Sequence, residues 1–519
     1  ILMQGATVQA GKDVNLTANR DINLLSAQNT QQQTGSNKSS GGSVGVGIGA
    51  GSGGWGINVS ASVNKGKGSE KGNGTTHTET LVNAGDTVNL TSGRDTTLTG
   101  AQVSGETVKA DVGRNLTLTS EQDSDRYDSK QQNASAGGSF TFGSMSGSAN
   151  VNLSRDKMHS NYDSVVEQTG IYAGKGGFDV TVGEHTQLNG AVIGSTASAD
   201  KNSLDTGTLG FSDIHNQADY KVEHQSIGLS TGGSIGSQFA GNLANTMLAG
   251  VNDEGHDNGT TRAAVSDGTL VIRDQDKQAQ DVAQLSRDVE HANGSISQIF
   301  DKEKEQQRIQ QAQLVGEMVS QATDIVRSEM AIHATEAAKA KLATASKDDL
   351  DKARQDILDK NPKANPDAEA IAAQAYQNYY DAEVKASGFG VGGKYSRVMD
   401  TAGAVIKGLA GSDLGAALAG GAAPWIAEYI GHGANLNDGE KIAAHAVVNA
   451  ALAAAQGQNA AAGAAGAVTG ELMGMIAADM YGKKAGALTE SEKETVSALA
   501  ILASGLAGGL AGDSTQSAA

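Results

Sequence analysis

Apolar residues in the first part of the chain alternate with Thr and Asn between fixed glycines, and the pattern recurs about every 20 residues. Residues 85–102 read GDTVNLTSGRDTTLTGAQ, and residues 105–122 read GETVKADVGRNLTLTSEQ. Residues 11–28 fit the same frame, and residues 174–191 form a diverged copy in which Glu184 replaces the arginine. The residues that recur 20 positions later are Gly85, Val88, Gly93, Arg94 and Leu98.

A short period of this kind is typical of stacked coils, in which each coil buries its Val and Leu side chains and pairs its backbone with the next coil. The sequence therefore predicts a right-handed parallel β-helix over residues 1–270, with two short strands and glycine corners in each coil. The first proline is Pro362, so every residue before it has a backbone N–H that can donate a hydrogen bond within the sheet. The alternative is a β-sandwich of unrelated strands, which does not explain the constant offset.

Gly-rich segments interrupt the coils and predict β-hairpin excursions. Val44, Val46 and Ile48 share one face of a strand, a turn follows at 51–54, and Ile57, Val59, Ala61 and Val63 share one face of the returning strand. The pattern recurs at 140–153 around a turn at 143–147, and more weakly at 209–235. Two interpretations remain open. The apolar faces pack back on the coils, or they enter a membrane, since transmembrane β-strands alternate in this way over about 9–11 residues.

The second part of the chain predicts helices, with an amphipathic region at 275–386. One apolar stripe is formed by Val315, Met318, Ala322, Ile325 and Ile332, and an earlier helix is expected to carry Val282, Leu285 and Val289. Further helices are expected after Ser346 and at Pro366, where Asn365 is the predicted cap. The stripe is interpreted as internal packing, with partner binding as the alternative.

Residues 388–519 are rich in Ala and Gly and predict a third, helical domain. Asn437 with Glu440 and Thr489 with Glu492 have capping-box spacing. No charged residue occurs between Ile442 and Gly470, and 495–512 is also apolar. These runs predict tightly packed helices of small residues, or alternatively segments that enter a bilayer.

Composition narrows the possible partners. The chain has 519 residues, 69 of them Gly, no Cys, 4% aromatic residues and a formal net charge of −19. The acidic balance argues against nucleic acid and against attraction to anionic lipid surfaces. The absence of Cys excludes disulfides and thiolate chemistry. Because the sequence starts at Ile1 and shows no signal peptide, we expect it to be a fragment.

Chemical motifs are weak throughout, and no catalytic, cofactor-binding or metal-ligating residue is predicted. His432 and His445 are the nearest approach to a metal pair, and Asp123, Asp125 and Asp128 could hold calcium, although a structural histidine and a solvated loop are the simpler interpretations. No nucleophile, phosphate-binding or zinc-protease motif occurs. The sequence predicts a protein segment that is not an enzyme.

Two sets of motifs resemble a known family. GKDVNLTANRDINL and GDTVNLTSGRDTTLTGAQV resemble the second haemagglutinin-repeat region of CdiA-type contact-dependent growth inhibition proteins, within the filamentous haemagglutinin family. Two further segments resemble the pretoxin domain of that family, although no VENN occurs; they read KIAAHAVVNAALAAAQGQNAAAGAAGA and LTESEKETVSALAILASGLAGGLAGD. The first resemblance covers residues 1–270 and the second 388–519.

The resemblance implies a secreted, cell-surface exoprotein that delivers a toxin to a neighbouring bacterium. The implied partners are the target-cell outer membrane, an outer-membrane secretion partner of the two-partner type, and a C-terminal toxin domain with its cognate immunity protein, but no nucleic acid. The hypothesis is that this chain mediates toxin translocation across the target outer membrane and presents the toxin. The alternative is a passive adhesin shaft in which the repeats only provide length.

Overall fold

The computed structural model describes residues 1–51, 54–142, 146–234, 244–249, 252–389, 393–410, 426, 430–431, 436–457 and 465–516. Parts of both predicted hairpin turns, residues 52–53 and 143–145, lie outside these ranges, as does His432.

The first part of the chain forms a parallel sheet that curls on itself, which we call the coil stack. In successive turns of the chain, residues of like type lie side by side. Its strands are β1 Leu2–Gln4, β2 Thr7–Ala10, β3 Val14–Ala18, β4 Ile22–Leu25, β7 Thr80–Ala84, β8 Thr87–Ser92, β9 Thr96–Thr99, β10 Ala101–Val112, β11 Asn115–Thr119, β14 Gly170–Asn189, β15 Val192–Ser195, β16 Ser203–Ser212, β20 Ala264–Val265 and β21 Thr269–Ile272.

Strand pairing confirms the repeat of about 20 residues. Val88 pairs with both Val14 and Val108, and Leu98 pairs with both Leu24 and Leu118. These side chains are buried in one core that the curled sheet surrounds. The repeat therefore places each apolar residue directly over its counterpart in the next coil.

Each coil contains three strands, so the prediction of two strands was wrong. β7, β8 and β9 follow one another along the chain, and the start of β10 then returns to pair with β7. The third strand contains Val82 in one coil and Val103 in the next, and both are fully buried. In every second coil a hairpin separates this strand from the preceding one along the chain, so the strand does not recur regularly in the sequence.

Glycine is required at one corner because the coils approach closely there. A Cβ on Gly93, Gly113 or Gly183 would lie 2.1–2.3 Å from a backbone carbonyl oxygen of the preceding coil. At this separation the backbone would have to move. The close approach explains why glycine persists even in the diverged copy.

The repeated arginine links one coil to the next at the same corner. Arg94 donates to Asp21 at 2.6 Å, and Arg114 lies against Asp95, which occupies the same place one coil later. These guanidinium groups hold the pKa values of Asp21 and Asp95 below their ordinary values. In the diverged copy Glu184 replaces the arginine, and its backbone N–H donates to the carbonyl of Arg114 at 2.7 Å. The negative charges of Asp95 and, more weakly, Glu184 raise the pKa of Arg114.

The segment between the coil stack and the first long helix is not the helix that the sequence predicted. Residues 278–300 contain no α-helix, and Val282, Leu285 and Val289 close the end of the coil stack. Leu285 is buried in its core, while Val289 packs against Val192 and Ala264. Their spacing suits a helix, but the three side chains instead contact strands that the coil leaves uncovered.

Within the described residues, the α-helices begin at Lys302. They are α1 Lys302–Ala343, α2 Lys347–Lys360, α3 Ala368–Ser387, α4 Lys394–Ala410, α5 Asp438–Gly457, α6 Ala465–Tyr481 and α7 Glu490–Gln516. Ser346 caps α2 as expected, and both predicted capping boxes are present before α5 and α7. The cap of α3 is Asp367 rather than Asn365, because its carboxylate accepts from the N–H of Ala370.

α4 to α7 share a second core, which is independent of the coil stack. It is built largely from small residues, including Ala443, Ala446 and Ala450 of α5, with Leu499 and Leu502 of α7. Ala322 and Val326 of α1 also pack into it, whereas Ile332 of the predicted stripe is exposed. Within the described residues, no helix combines the length and the apolar character that crossing a membrane requires.

Replacing a stacked corner glycine should destabilise the coil stack. In Gly113→Ala the new methyl group would lie 2.3 Å from the carbonyl oxygen of Gly93, so we expect a loss of about 2 kcal/mol in the free energy of unfolding. Gly11→Ala is the matched control, because its Cβ would meet nothing within 4 Å. The denaturant midpoints measure both changes, and equal midpoints would contradict the close-approach argument.

Candidate functional site

The hairpin excursions form a second sheet, which we call the hairpin sheet. Its strands pair antiparallel in the order β18, β17, β13, β12, β6, β5, and β19 also pairs with β17. They are β5 Ala27–Gly51, β6 Gly54–Thr78, β12 Asp123–Phe142, β13 Ser146–Ser164, β17 Ile214–Ser234, β18 Ala244–Ala249 and β19 Asp253–Thr261. The third excursion begins at Ile214, because Leu209 belongs to the coil stack, where it is buried.

All three excursions leave the coil stack at the same corner. This corner lies between the strands that stack on β4 and the strands that stack on β7. In the coils without a hairpin, a glycine with φ of 55–57° makes the turn at this corner; these glycines are Gly5, Gly100 and Gly190. In the coils between them, the chain instead leaves after Ser26, after Ser120 and after Asp213. A hairpin therefore leaves from every second coil.

This alternation matches the geometry of strand pairing. Coils rise by one strand spacing of about 4.8 Å, so exits two coils apart are separated by about 9.6 Å. Each hairpin contributes two strands, which need the same width. Neighbouring hairpins can therefore pair edge to edge, as β6 does with β12 and β13 does with β17.

A threonine hydroxyl makes hydrogen bonds at the point where each of the first two hairpins returns to the coil stack. The hydroxyl of Thr169 donates to the carbonyl of Thr119, where the chain left, at 2.9 Å and accepts from the N–H of Ala101 at 3.2 Å. Thr80 makes the equivalent bonds to the carbonyl of Leu25 and the N–H of Ala6, at 2.6 and 3.2 Å. Each hydroxyl thus joins the outgoing chain to the preceding coil.

One face of the hairpin sheet, which we call the apolar face, carries exposed hydrophobic residues in its distal half. Val46 pairs with Val59, which pairs with Phe140, and Val63 is linked through Ala136 to Val151. Val46 is 71% exposed and Val63 is 62% exposed. Among the side chains that the structure describes, the other large hydrophobic residues exposed on this face are Val44, Ile57, Phe142, Val151, Leu153 and Ile227. The opposite face carries Ser, Asn and Gly at the same level.

The expectation that the apolar faces pack back on the coils was wrong for these side chains. The hairpins pair with one another instead. In the distal half, the exposed side chains on the apolar face are not covered by the coil stack. Adjacent exits let backbone donors and acceptors of neighbouring hairpins satisfy each other. Folding back on the coils would leave those groups unpaired.

The face of the hairpin sheet opposite the apolar face is covered, near the coil stack, by the beginning of α1 and the residues just before it. Phe300 stacks on Tyr127 with ring centroids 5.6 Å apart, and Ile309 is buried against Met158 and Val222. α1 then continues to the helical core, and its 42 residues extend about 63 Å. α1 therefore joins the hairpin sheet to the helical part of the chain.

A charged contact holds the start of α1 in place. The ammonium group of Lys302 lies 2.8 Å from Glu70 Oε2 and 5.1 Å from the ring centroid of Tyr127. The Tyr127 hydroxyl donates to the same carboxylate at 2.9 Å. Lys302 lowers the pKa of Glu70, and Glu70 raises the pKa of Lys302.

The candidate metal ligands do not come together. Asp123 accepts from the backbone and ring nitrogens of His77, while Asp128 contacts His159 on the other face of the sheet. Burial raises the pKa of Asp125. His445 lies on α5. Among the described residues, no group of three or more carboxylate and imidazole side chains is arranged to hold a metal ion.

Two protein families match parts of the chain. The Hemagglutinin repeat family matches residues 1–134, and the family described as Pre-toxin domain with VENN motif matches residues 485–519. No solved structure matches the chain. The matches fall on the coil stack with its first hairpins and on the last helix.

Curated relatives match nearly the whole chain. A 16S rRNA endonuclease CdiA of Enterobacter cloacae is 55% identical over 98% of this chain, and a tRNA nuclease CdiA of Escherichia coli strain NC101 is 51% identical over 98%. The chain spans 15% of the length of each. A Deoxyribonuclease CdiA of Yersinia pseudotuberculosis is 52% identical over 98% of the chain, which spans 47% of that protein.

Removing one return hydroxyl should destabilise the exit corner. Thr169→Val keeps the shape but leaves the Ala101 N–H and the Thr119 carbonyl without this partner, so we expect a loss of about 2 kcal/mol in the free energy of unfolding. Thr97→Val, at a half-buried site in the same sheet, is the control. Similar denaturation curves for the two variants would contradict a clamping role.

The Glu70–Lys302 contact should make the docking of α1 sensitive to acid. Because the pKa of Glu70 is lowered on folding, its contribution is complete above its ordinary value of 4.5 and is lost as the pH falls through the lowered value. Glu70→Gln should cost about 1 kcal/mol at neutral pH and less at about pH 3. Thermal unfolding of both proteins at the two pH values measures this difference, and a cost that does not change with pH would contradict it.

Proposed function

Because the chain belongs to the CdiA-type contact-dependent growth inhibition proteins of the filamentous haemagglutinin family, we propose that its hairpin sheet engages the target-cell outer membrane during toxin translocation. The observation that supports this proposal most strongly is the exposed apolar face. A large exposed hydrophobic patch marks a surface that contacts a partner or a membrane. Here the patch spans several strands from three separate excursions.

The form of the sheet favours contact with the outer leaflet before any crossing. The distal strands alternate apolar with small polar residues, as transmembrane strands do. However, within the described residues β5 pairs on one side only, and an open edge inside hydrocarbon leaves backbone groups unsatisfied. In our proposal the apolar face first lies on the membrane, while the Ser- and Asn-rich face stays in water.

The remaining parts have supporting roles in the proposal. The coil stack is a right-handed β-helix, since parallel crossovers are almost always right-handed. The repeat domain is formed by residues 1–270, the connecting domain by 275–386 and the pretoxin domain by 388–519. The pretoxin domain presents a C-terminal toxin, which the cognate immunity protein neutralises. The whole protein is secreted to the cell surface through an outer-membrane partner. The nuclease activities in the relatives' names belong to toxin regions outside this non-catalytic segment.

The passive adhesin shaft remains the second candidate. The regular stacking of coils through paired Val and Leu favours it, because such a stack provides length without further activity. A shaft has no use for an exposed apolar sheet. The two functions therefore differ in what they require of the distal hairpins.

Charges on the distal apolar face should stop delivery without unfolding the protein. Val46→Asp and Val59→Asp place carboxylates on that face, and burying a carboxylate in lipid is costly. In a full-length CdiA-type protein that carries this segment, we expect normal secretion and cell binding but at least about tenfold less killing of target cells.

Ser43→Asp provides the matched control, because Ser43 lies on the opposite face of the same strand and is exposed. Killing should be close to that of the parent protein. If Val46→Asp and Val59→Asp also kill normally, the translocation proposal is wrong and the shaft is favoured. Circular dichroism and surface display establish that each variant folds.

A further inference from the structure

The apolar face carries a band of basic residues between its distal hydrophobic half and the coil stack. Strand pairing places Lys38 beside Lys67, and Gln132, which pairs with Lys67, beside Arg155. The next rows toward the coil stack contain Lys130 beside Lys157, and then Lys71 in the row of His159 and Lys221. We call this band the basic belt.

Six cations of this surface have no ion pair within the described residues. In contrast, Lys157 and Lys221 both contact Glu223, and His159 contacts Asp128. All six unpaired side chains are exposed. They are Lys38, Lys65, Lys67, Lys71, Lys130 and Arg155.

The belt directly adjoins the hydrophobic rows. Lys65 pairs with Ala134, which pairs with Leu153, and Leu153 pairs with Ile227. One row farther from the coil stack are Val63, Ala136 and Val151. Because rows on one face are about 7 Å apart, the long lysine side chains border the apolar surface.

This distribution is unusual for a chain with a net charge of −19. The acidic residues lie elsewhere or are paired, so the average charge does not describe this face. A surface with hydrophobic rows bordered by unpaired cations is complementary to a membrane whose lipids carry negatively charged phosphates. Apolar contact and headgroup contact would then use the same face.

We propose that the basic belt binds the phosphate groups of anionic lipids and so orients the apolar face toward the bilayer. This inference rests on the proposed function and names the lipid chemistry that the site recognises. The acidic net charge of the whole chain argues against attraction to anionic lipid surfaces. This face differs from that average, because the antiparallel register brings cations from four strands to it.

The test uses the complete chain and flotation with vesicles. The vesicles consist of phosphatidylcholine alone or of phosphatidylcholine with phosphatidic acid. The belt variant combines Lys67→Gln, Lys130→Gln and Arg155→Gln. The control variant combines Lys347→Gln, Lys352→Gln and Lys363→Gln, which remove the same charge from exposed positions in and after α2. Melting curves show whether both variants fold.

We expect the parent chain to bind vesicles with phosphatidic acid more tightly than neutral vesicles, and added salt to weaken the binding. Each cation near an anionic surface contributes about fivefold in affinity, so the belt variant should bind about a hundredfold more weakly. The control variant should bind like the parent. Equal binding by the belt and control variants would overturn the proposal.

Competitors separate lipid phosphate from other anions. Duplex DNA and inorganic phosphate are added at constant ionic strength, and neither should displace the parent from the vesicles. Displacement by DNA would assign the belt to nucleic acid, and displacement by inorganic phosphate would assign it to soluble anions. Either result overturns the proposal.

Delivery assays separate this inference from the proposed function. If the belt variant keeps its vesicle binding while Val46→Asp abolishes killing, the belt inference is wrong and the translocation proposal stands. If the belt variant loses vesicle binding while Val46→Asp kills normally, the lipid site stands and the translocation proposal fails.

Discussion

The spacing between hydrogen-bonded strands is the constraint on which this structure depends. A coil stack advances by one strand spacing per coil, and a hairpin occupies two. Direct glycine corners at Gly5, Gly100 and Gly190 alternate with exits, so the excursions leave at the interval at which they can pair with one another. Exits from every coil would crowd the hairpins, and exits from every third would leave gaps between them.

The same constraint gives the two sheets different surfaces. In the coil stack, one side of every strand faces a closed core, and the corners need glycine and charge pairs to stack closely. In the distal halves of β5, β6, β12 and β13, the described side chains on both faces are exposed or half-buried, because no second layer covers them. One side is apolar and the other is small and polar, so the sheet can meet two different environments at once.

The sequence predicts the part of this structure that comes from local repetition. Val88 and Val108 lie together because the same coil occurs twice, and the capping boxes at Asn437 and Thr489 form because they need only neighbouring residues. The pairing of β6 with β12 joins residues from different excursions, and no periodicity records it. The spacing of Val282, Leu285 and Val289 fits a helix, but the uncovered end of the coil stack determines where they pack.

Long-range register also decides which charges act together. Lys67 and Lys130 are far apart along the chain, and so are Lys38 and Arg155, yet the antiparallel pairing puts all four side chains on the same face. A net charge sums over every surface, whereas an interface responds to the charges within about one Debye length, roughly 10 Å. A shift of one residue in the pairing of β6 with β12 would move the cations of the two strands to opposite faces. The register of the hairpin strands therefore determines the electrostatics of the face as well as its hydrophobicity.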